Sequence, residues 1–277
     1  MTTDVAPPQG LEGFSPAARK WFTSAFESPT QAQVQAWDSI RSGQHTLVVA
    51  PTGSGKTLAA FLWALDRLTQ RERPGPDSAD PSCGTRRLGS KTPKSPGVKV
   101  LYISPLKALG VDVERNLRSP LAGLREASRS LNLSVPDISV GVRSGDTPQN
   151  ERRRLIANPP DVLITTPESL YLLLTSRGAE TLRGVETVII DEVHALAGNK
   201  RGAHLALSLE RLDRLLETPA QRIGLSATVE PASEVARFLG GAAPVRIVRP
   251  PARKEFEIAV EVPAQDMTNP PVEEPDF

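Results

Sequence analysis

The chain has 277 residues, 33 Lys+Arg against 32 Asp+Glu, and a formal net charge of +1. That length supports one large α/β domain or two small ones around a sizeable core, and the near-neutral balance excludes a polybasic arm or an acidic tail while leaving room for a local basic groove. One cysteine, Cys83, excludes an internal disulfide framework and a multi-cysteine metal site.

Residues 1–13 read as a flexible start, and 14–44 as a helical preface to the first strand. Strand candidates are HTLVVA (45–50), KVLYIS (99–104), ISVGVR (138–143), DVLITT (161–166), ETVIID (186–191) and RIGLSA (222–227), with a weaker one at VRIVR (245–249). Apolar residues between them recur at helical steps, as in Leu58, Phe61, Leu62, Leu65 and Leu68, and again in Leu205, Leu209, Leu212 and Leu216. Strands that are apolar almost throughout suit a parallel sheet covered on both faces. The expected fold is therefore α/β, a doubly wound, mostly parallel sheet forming one domain over 14–249.

Two segments break the rhythm. Residues 70–97 are rich in Pro, Gly and basic side chains and poor in large apolar ones, so 72–97 is expected to be a disordered insertion. Its basic residues suit a phosphate backbone, but a solvated loop is the commoner meaning of such a run. The stretch 250–277 reads as a linker with one possible strand, FEIAVEV (256–262). No apolar run reaches the length of a signal or a membrane span, so the expected setting is the reducing cytoplasm, with no membrane partner.

The chemistry concentrates in two places. APTGSGKT (50–57) follows an apolar strand and opens an amphipathic helix, the context a phosphate-binding loop needs. Gly53 and Gly55 permit close backbone approach, and consecutive N–H groups with the helix start then point at phosphates. Lys56 supplies a positive charge for the β/γ-phosphates and Thr57 a hydroxyl for Mg²⁺. Ala50 stands where the usual pattern has Gly. A Gly/Ser/Thr turn at a strand–helix junction also exists without any ligand. The second place is ETVIIDEVHAL (186–196), where Asp191 at a strand end suits Mg²⁺ and Glu192 suits a base orienting an attacking water. Adjacent carboxylates there are a liability without a cation, although ordinary loop acids remain an alternative. His45, His194 and His204 have no partners at metal-ligand spacing, and the only metal implied is Mg²⁺ bound with nucleotide.

Taken together these segments resemble the superfamily 2 DEAD/DEAH-like helicases. APTGSGKT, DEVH and SAT (226–228) are similar to their motifs I, II and III, and PTQAQ (29–33) to the Q motif. YISPLKAL (102–109) and TTPESL (165–170) are similar to motifs Ia and Ib. FSPAARKWF (14–22), GVRSGDTPQNERRR (141–154) and RGAHLALSLERL (201–212) narrow the resemblance to the Lhr type, the large helicase-related proteins of bacteria and archaea.

The resemblance implies a RecA-like ATP-binding domain and an ATP-dependent DNA translocase linked to DNA repair, with single-stranded DNA as partner and RNA possible. It assigns Gln33 to adenine, and Thr52, Gly53, Ser54, Gly55, Lys56 and Thr57 to the phosphates and Mg²⁺. Asp191 goes to Mg²⁺ and Glu192 to the hydrolytic water, while His194, Ser226 and Thr228 couple nucleotide to nucleic acid. Pro105, Lys107, Arg143, Thr166 and Pro167 would follow the strand backbone, although a solvated charge is the more common meaning of Lys107 or Arg143 alone. Such motors also need a second RecA-like domain, in cis or in trans, bearing an arginine finger. Nothing after Thr228 resembles one, so the chain alone is expected to bind ATP weakly, to hydrolyse it slowly if at all, and not to unwind duplexes. The alternative is a nucleotide- and nucleic-acid-binding module without turnover of its own.

Overall fold

A computed structural model describes residues 9–70, 97–105, 107–135 and 137–251, the side chains of 107–111 excepted. Nearly all of the expected insertion at 72–97, the first eight residues and the strand expected at 256–262 lie outside the described residues.

Helices α1 (Pro16–Ala25) and α2 (Gln31–Arg41) precede the sheet. Ser15 caps α1 by accepting from the Ala18 N–H, with Pro16 in the first turn where its missing donor costs nothing. Thr30 and Gln33 form a reciprocal capping box on α2. In the remaining elements each strand is followed by one helix, or by two after the fifth, except the seventh, which comes last. They run β1 (His45–Val49), α3 (Lys56–Thr69), β2 (Val100–Ile103), α4 (Lys107–Ser130), β3 (Val140–Arg143), α5 (Gln149–Ala157), β4 (Val162–Thr165) and α6 (Pro167–Leu174). After a 3₁₀ turn (Arg177–Leu182) come β5 (Thr187–Ile190), α7 (His194–Ala197), α8 (Lys200–Leu215), β6 (Gln221–Ser226), α9 (Ala232–Gly240) and β7 (Val245–Val248).

All seven strands are parallel, in the order β3-β4-β2-β5-β6-β1-β7. Every strand candidate of the sequence within the described residues is present to within two residues at either end. Because the strands are parallel, the loops after β1, β2, β3, β4, β5 and β6 leave from one carboxyl edge, where ligands of open α/β sheets bind.

Side chains alternate between two cores. Val48, Val100, Tyr102, Ile164 and Ile189 face a cluster built with α1, α2, α3 and α4. Leu47, Val49, Leu101, Ile103 and Ile190 face one built with α6, α8 and α9. A sheet covered on both faces leaves no room for polar alternation, hence the near-continuous apolar strands. Each fully buried Leu, Ile or Val adds about 1.5–3 kcal/mol before entropy is subtracted.

The helical preface is welded on by aromatics. Phe14 meets Trp37 and Trp63 edge-on at 5.0 and 5.4 Å, and the Trp37 indole donates to the Ala59 carbonyl on α3 at 3.0 Å. Trp21 lies so close to α4 that a Cβ on Gly123 would sit 1.9 Å from its ring. The packed core reaches back to Leu11, which is fully buried and lies inside the stretch expected to be flexible. A single apolar side chain ahead of Phe14 carries too little pattern to reveal its burial from sequence.

Candidate functional site

The loop after β1 is held from several sides. Gly53 and Gly55 have φ of +82° and +80°, a region other residues enter at a cost. Around Gly53 nothing lies within 4 Å of an added Cβ, whereas at Gly55 that atom would meet Gln33 Nε2 at 2.4 Å. The Thr30 hydroxyl donates to the Ser54 carbonyl at 2.9 Å, and Gln33 Nε2 to the Gly55 carbonyl at 3.5 Å. Gln33 is buried, and its Oε1 accepts from the Thr30 N–H at 2.9 Å. Gln33 thus fastens the second helix to the loop.

Thr52 and Gly53 are exposed, while Ser54, Gly55, Lys56 and Thr57 are half-buried. Lys56 Nζ donates to the carbonyls of Ala50 and, at 2.8 Å, Pro51. Burial lowers its pKa, and the negative charges of Glu192 and Asp191 oppose that shift. The two acids therefore lie within electrostatic reach of the loop lysine. Ser54 Oγ, between the two glycines in sequence, is buried with no hydrogen-bond partner. An anion such as a phosphate fits that donor set.

The acids stand just beyond β5, separated from β1 by β6 alone. The Asp191 N–H donates to the Ile103 carbonyl at 2.9 Å, Asp191 Oδ1 accepts from the Glu192 N–H at 3.0 Å, and Asp191 Oδ2 accepts from the Tyr102 hydroxyl. Glu192 adopts φ of +44°, an uncommon backbone for a residue with a side chain. Its Oε2 is 3.4 Å from His194 Nδ1, which is 3.3 Å from Ser226 Oγ. Backbone bonds tighten the triangle: Val193 N–H to the Leu225 carbonyl at 3.0 Å, and Ala50 N–H to the Ser226 carbonyl at 3.2 Å. Thr228 is exposed, two residues past β6.

Among the described residues no group of three or more His, Cys, Asp and Glu is arranged to hold a metal. A divalent ion here would take Thr57 and Asp191 from the protein and its other oxygens from phosphate and water, the usual habit of Mg²⁺.

The segments after β2, β3 and β4 form the other half of the edge. Pro105 and Pro167 are buried. Thr166 is also buried, and its hydroxyl caps α6 through the Ser169 N–H at 3.4 Å and the Ser169 hydroxyl at 3.2 Å. Lys107 opens α4, its side chain lying outside the described residues. Arg143 ends β3 and is only 7% exposed, with Nη1 lacking any hydrogen-bond partner. Burial and then the nearby Arg152 hold its pKa below the usual guanidinium value.

Two residues not singled out in the sequence turn out to brace this edge. Arg201, at the start of α8, grips the Glu168 carboxylate through Nε and, at 3.0 Å, Nη2, and its Nη1 donates to the Pro105 carbonyl at 2.5 Å. One guanidinium therefore ties the turn after β2 to the start of α6. That side-chain pairing holds the Glu168 carboxyl down at about 2. Tyr102 is the second, through its bond to Asp191.

Residues 30–237 match the DEAD/DEAH box helicase family. The chain is 62% identical over 269 residues to a Mycolicibacterium smegmatis protein named Lhr helicase/probable uracil glycosylase, covering 97% of this chain and 16% of that protein. It is 40% identical over 258 residues to the ATP-dependent helicase Lhr-Core of Methanocaldococcus jannaschii, across 92% of this chain and 28% of the archaeal one. Among solved structures, Mycobacterium smegmatis helicase Lhr bound to ssDNA and AMP-PNP superposes with a TM-score of 0.81 at 60% identity, covering 94% of this chain and 31% of that one. The chain thus spans between about a sixth and just under a third of the length of these proteins. Among the described residues no helix is long and apolar enough to cross a membrane.

Proposed function

The chain belongs to the DEAD/DEAH box helicase family, and on that footing we propose that it is the first motor domain of an Lhr-type, ATP-dependent DNA translocase. It would bind Mg²⁺-ATP and single-stranded nucleic acid, and turn ATP over when paired with a second RecA-like domain in the bacterial or archaeal cytosol.

One observation supports this reading above the others. The phosphate loop, the DEVH segment and the SAT segment are hydrogen-bonded to one another through Ala50, Ser226, Leu225, Val193 and His194. The backbone bonds extend the sheet pairing; the side-chain contacts from Glu192 through His194 to Ser226 are the part that a loop only binding nucleotide would not need.

In this reading the N–H groups of residues 53–57 and Lys56 hold the β- and γ-phosphates, and Lys56 leaves the Ala50 and Pro51 carbonyls to do so. Thr57 and Asp191 would hold Mg²⁺, which would supply positive charge against the phosphates. Glu192 orients the attacking water and takes up its proton. His194 stands between Glu192 and Ser226, so a shift of the catalytic acid is felt at the strand end that leads to Thr228. Gln33 is assigned to adenine; its amide then exchanges its contacts to Thr30 and Gly55 for the base. Pro105, Lys107, Arg143, Thr166 and Pro167 line the path of the strand, gripping its backbone without reading sequence.

The test is ATP binding and turnover by this chain, with and without single-stranded DNA, beside Lys56→Ala. Binding that Lys56→Ala weakens, with turnover that appears or rises when the second domain is supplied, supports the reading. Absence of binding, or binding indifferent to Lys56→Ala, overturns it.

A further inference from the structure

Tyr102 sits in β2, an interior strand between β4 and β5, and is fully buried. Its ring stacks on Phe61 of α3, with centroids 4.9 Å apart and planes at 23°. A phenylalanine would fill the same space and stack as well. The hydroxyl is therefore the part that packing does not require, and it reaches a carboxylate, Asp191. The other oxygen of that carboxylate is taken by the Glu192 N–H at 3.0 Å. With one donor on each oxygen the carboxyl group is fixed in rotation, yet each oxygen keeps a lone pair free for a cation.

We propose that Tyr102 is a positioning residue for the metal-binding carboxylate. This rests on the nucleotide reading above. The hydroxyl holds Asp191 in the orientation in which Mg²⁺ is taken up, and the ring fixes that orientation relative to α3. Phe61 lies five residues after Lys56 on the same helix. The stack thus ties the acid to the helix that begins with Lys56 and Thr57. Hydrogen-bonded supports of metal-ligating groups typically change metal affinity by about 10–100-fold when removed. A phenol that simply needed a partner for burial would leave the metal unaffected when its oxygen is deleted.

The experiment is calorimetric titration of a non-hydrolysable ATP analogue into wild type and Tyr102→Phe, at a series of Mg²⁺ concentrations and in EDTA. Circular dichroism melts would confirm that both are folded. The expected result is a Mg²⁺ midpoint raised by about ten-fold in Tyr102→Phe, with affinity in EDTA unchanged. Asp191→Asn should remove the Mg²⁺ dependence, and adding Tyr102→Phe to it should change nothing further, since both act through one group. An unshifted midpoint in folded Tyr102→Phe, or an equal loss of affinity in EDTA, sinks the proposal while leaving the function reading intact. If wild type shows no Mg²⁺-dependent binding, the function reading falls and takes this inference with it.

Discussion

The carboxyl edge of the sheet has two halves built on opposite principles. On the side of β1, β6 and β5 the phosphate loop itself is left open, with two glycines at positive φ, exposed Thr52 and a Ser54 hydroxyl without a partner, while Lys56 and Asp191 hold only bonds that a ligand can replace or add to. On the side of β2 and β4 they are already engaged, with Thr166 spent on its own helix and the Pro105 carbonyl taken by Arg201. Arg143 on β3 is the exception, its buried Nη1 having no hydrogen-bond partner. Open groups suit a small, highly charged ligand that supplies their missing partners. A braced edge suits a long polymer, which needs a surface of fixed shape and a few contacts to its backbone.

The comparison breaks most sharply at the open half. With a second motor domain present, Glu192→Gln is expected to lower ATP turnover by about 10²–10⁴-fold while nucleotide still binds, as read by steady-state rate and by calorimetry. Wild-type turnover in that variant would remove Glu192 from its role. Next in size comes Gly55→Ala. It forces a side chain into left-handed backbone at a cost of roughly 1–2 kcal/mol and pushes a methyl group into Gln33. Urea melts should show the lost stability and titrations a weakened affinity for nucleotide.

The braced half should respond more gently. Arg201→Ala releases both Glu168 and Pro105, but the pair is partly exposed, so about 0.5–1 kcal/mol of stability is at stake. Affinity for single-stranded DNA should fall with ATP affinity unchanged, and Arg201→Lys should not restore it, because lysine cannot reproduce a two-pronged grip. Equal losses at both ligands would show that the two halves are not separable. The smallest effect is a pH dependence. The folded Glu168 carboxyl is depressed to about 2, so its contribution is fully present above the ordinary glutamate range. It disappears as pH falls towards about 2. The difference in melting temperature between wild type and Glu168→Gln should shrink over that interval.

How much of this was legible in the sequence follows from what each residue's neighbours reveal. β1 and α3 could be read because an apolar run, a glycine-bearing turn and a helical repeat are contiguous. Asp191 and Glu192 could be read because they end an apolar strand. The placement of β2 between β4 and β5 could not, since strand order depends on crossovers and not on any local pattern. Tyr102 in VLYIS looks like any core aromatic, and only its register beside β5 brings its oxygen to Asp191. Arg201 looks like a solvated helix residue, because its partners lie 33 and 96 positions away. Gln33 was placed by resemblance. That its amide also holds the phosphate loop is visible only once α2 is packed on α3.

The aromatic layer over α3 has a practical corollary. All three tryptophans of the chain, Trp21, Trp37 and Trp63, lie on the face of the sheet covered by α1 to α4. Trp63 is part of α3 itself, and the Trp37 indole is hydrogen-bonded to that helix. The α6–α8 brace carries none of them. The protein's tryptophan emission, excited where tyrosine does not absorb, is therefore a label already installed on and around the helix that begins at Lys56, with no tryptophan in the brace around Arg201, and it can follow that helix in stopped-flow mixing without any dye.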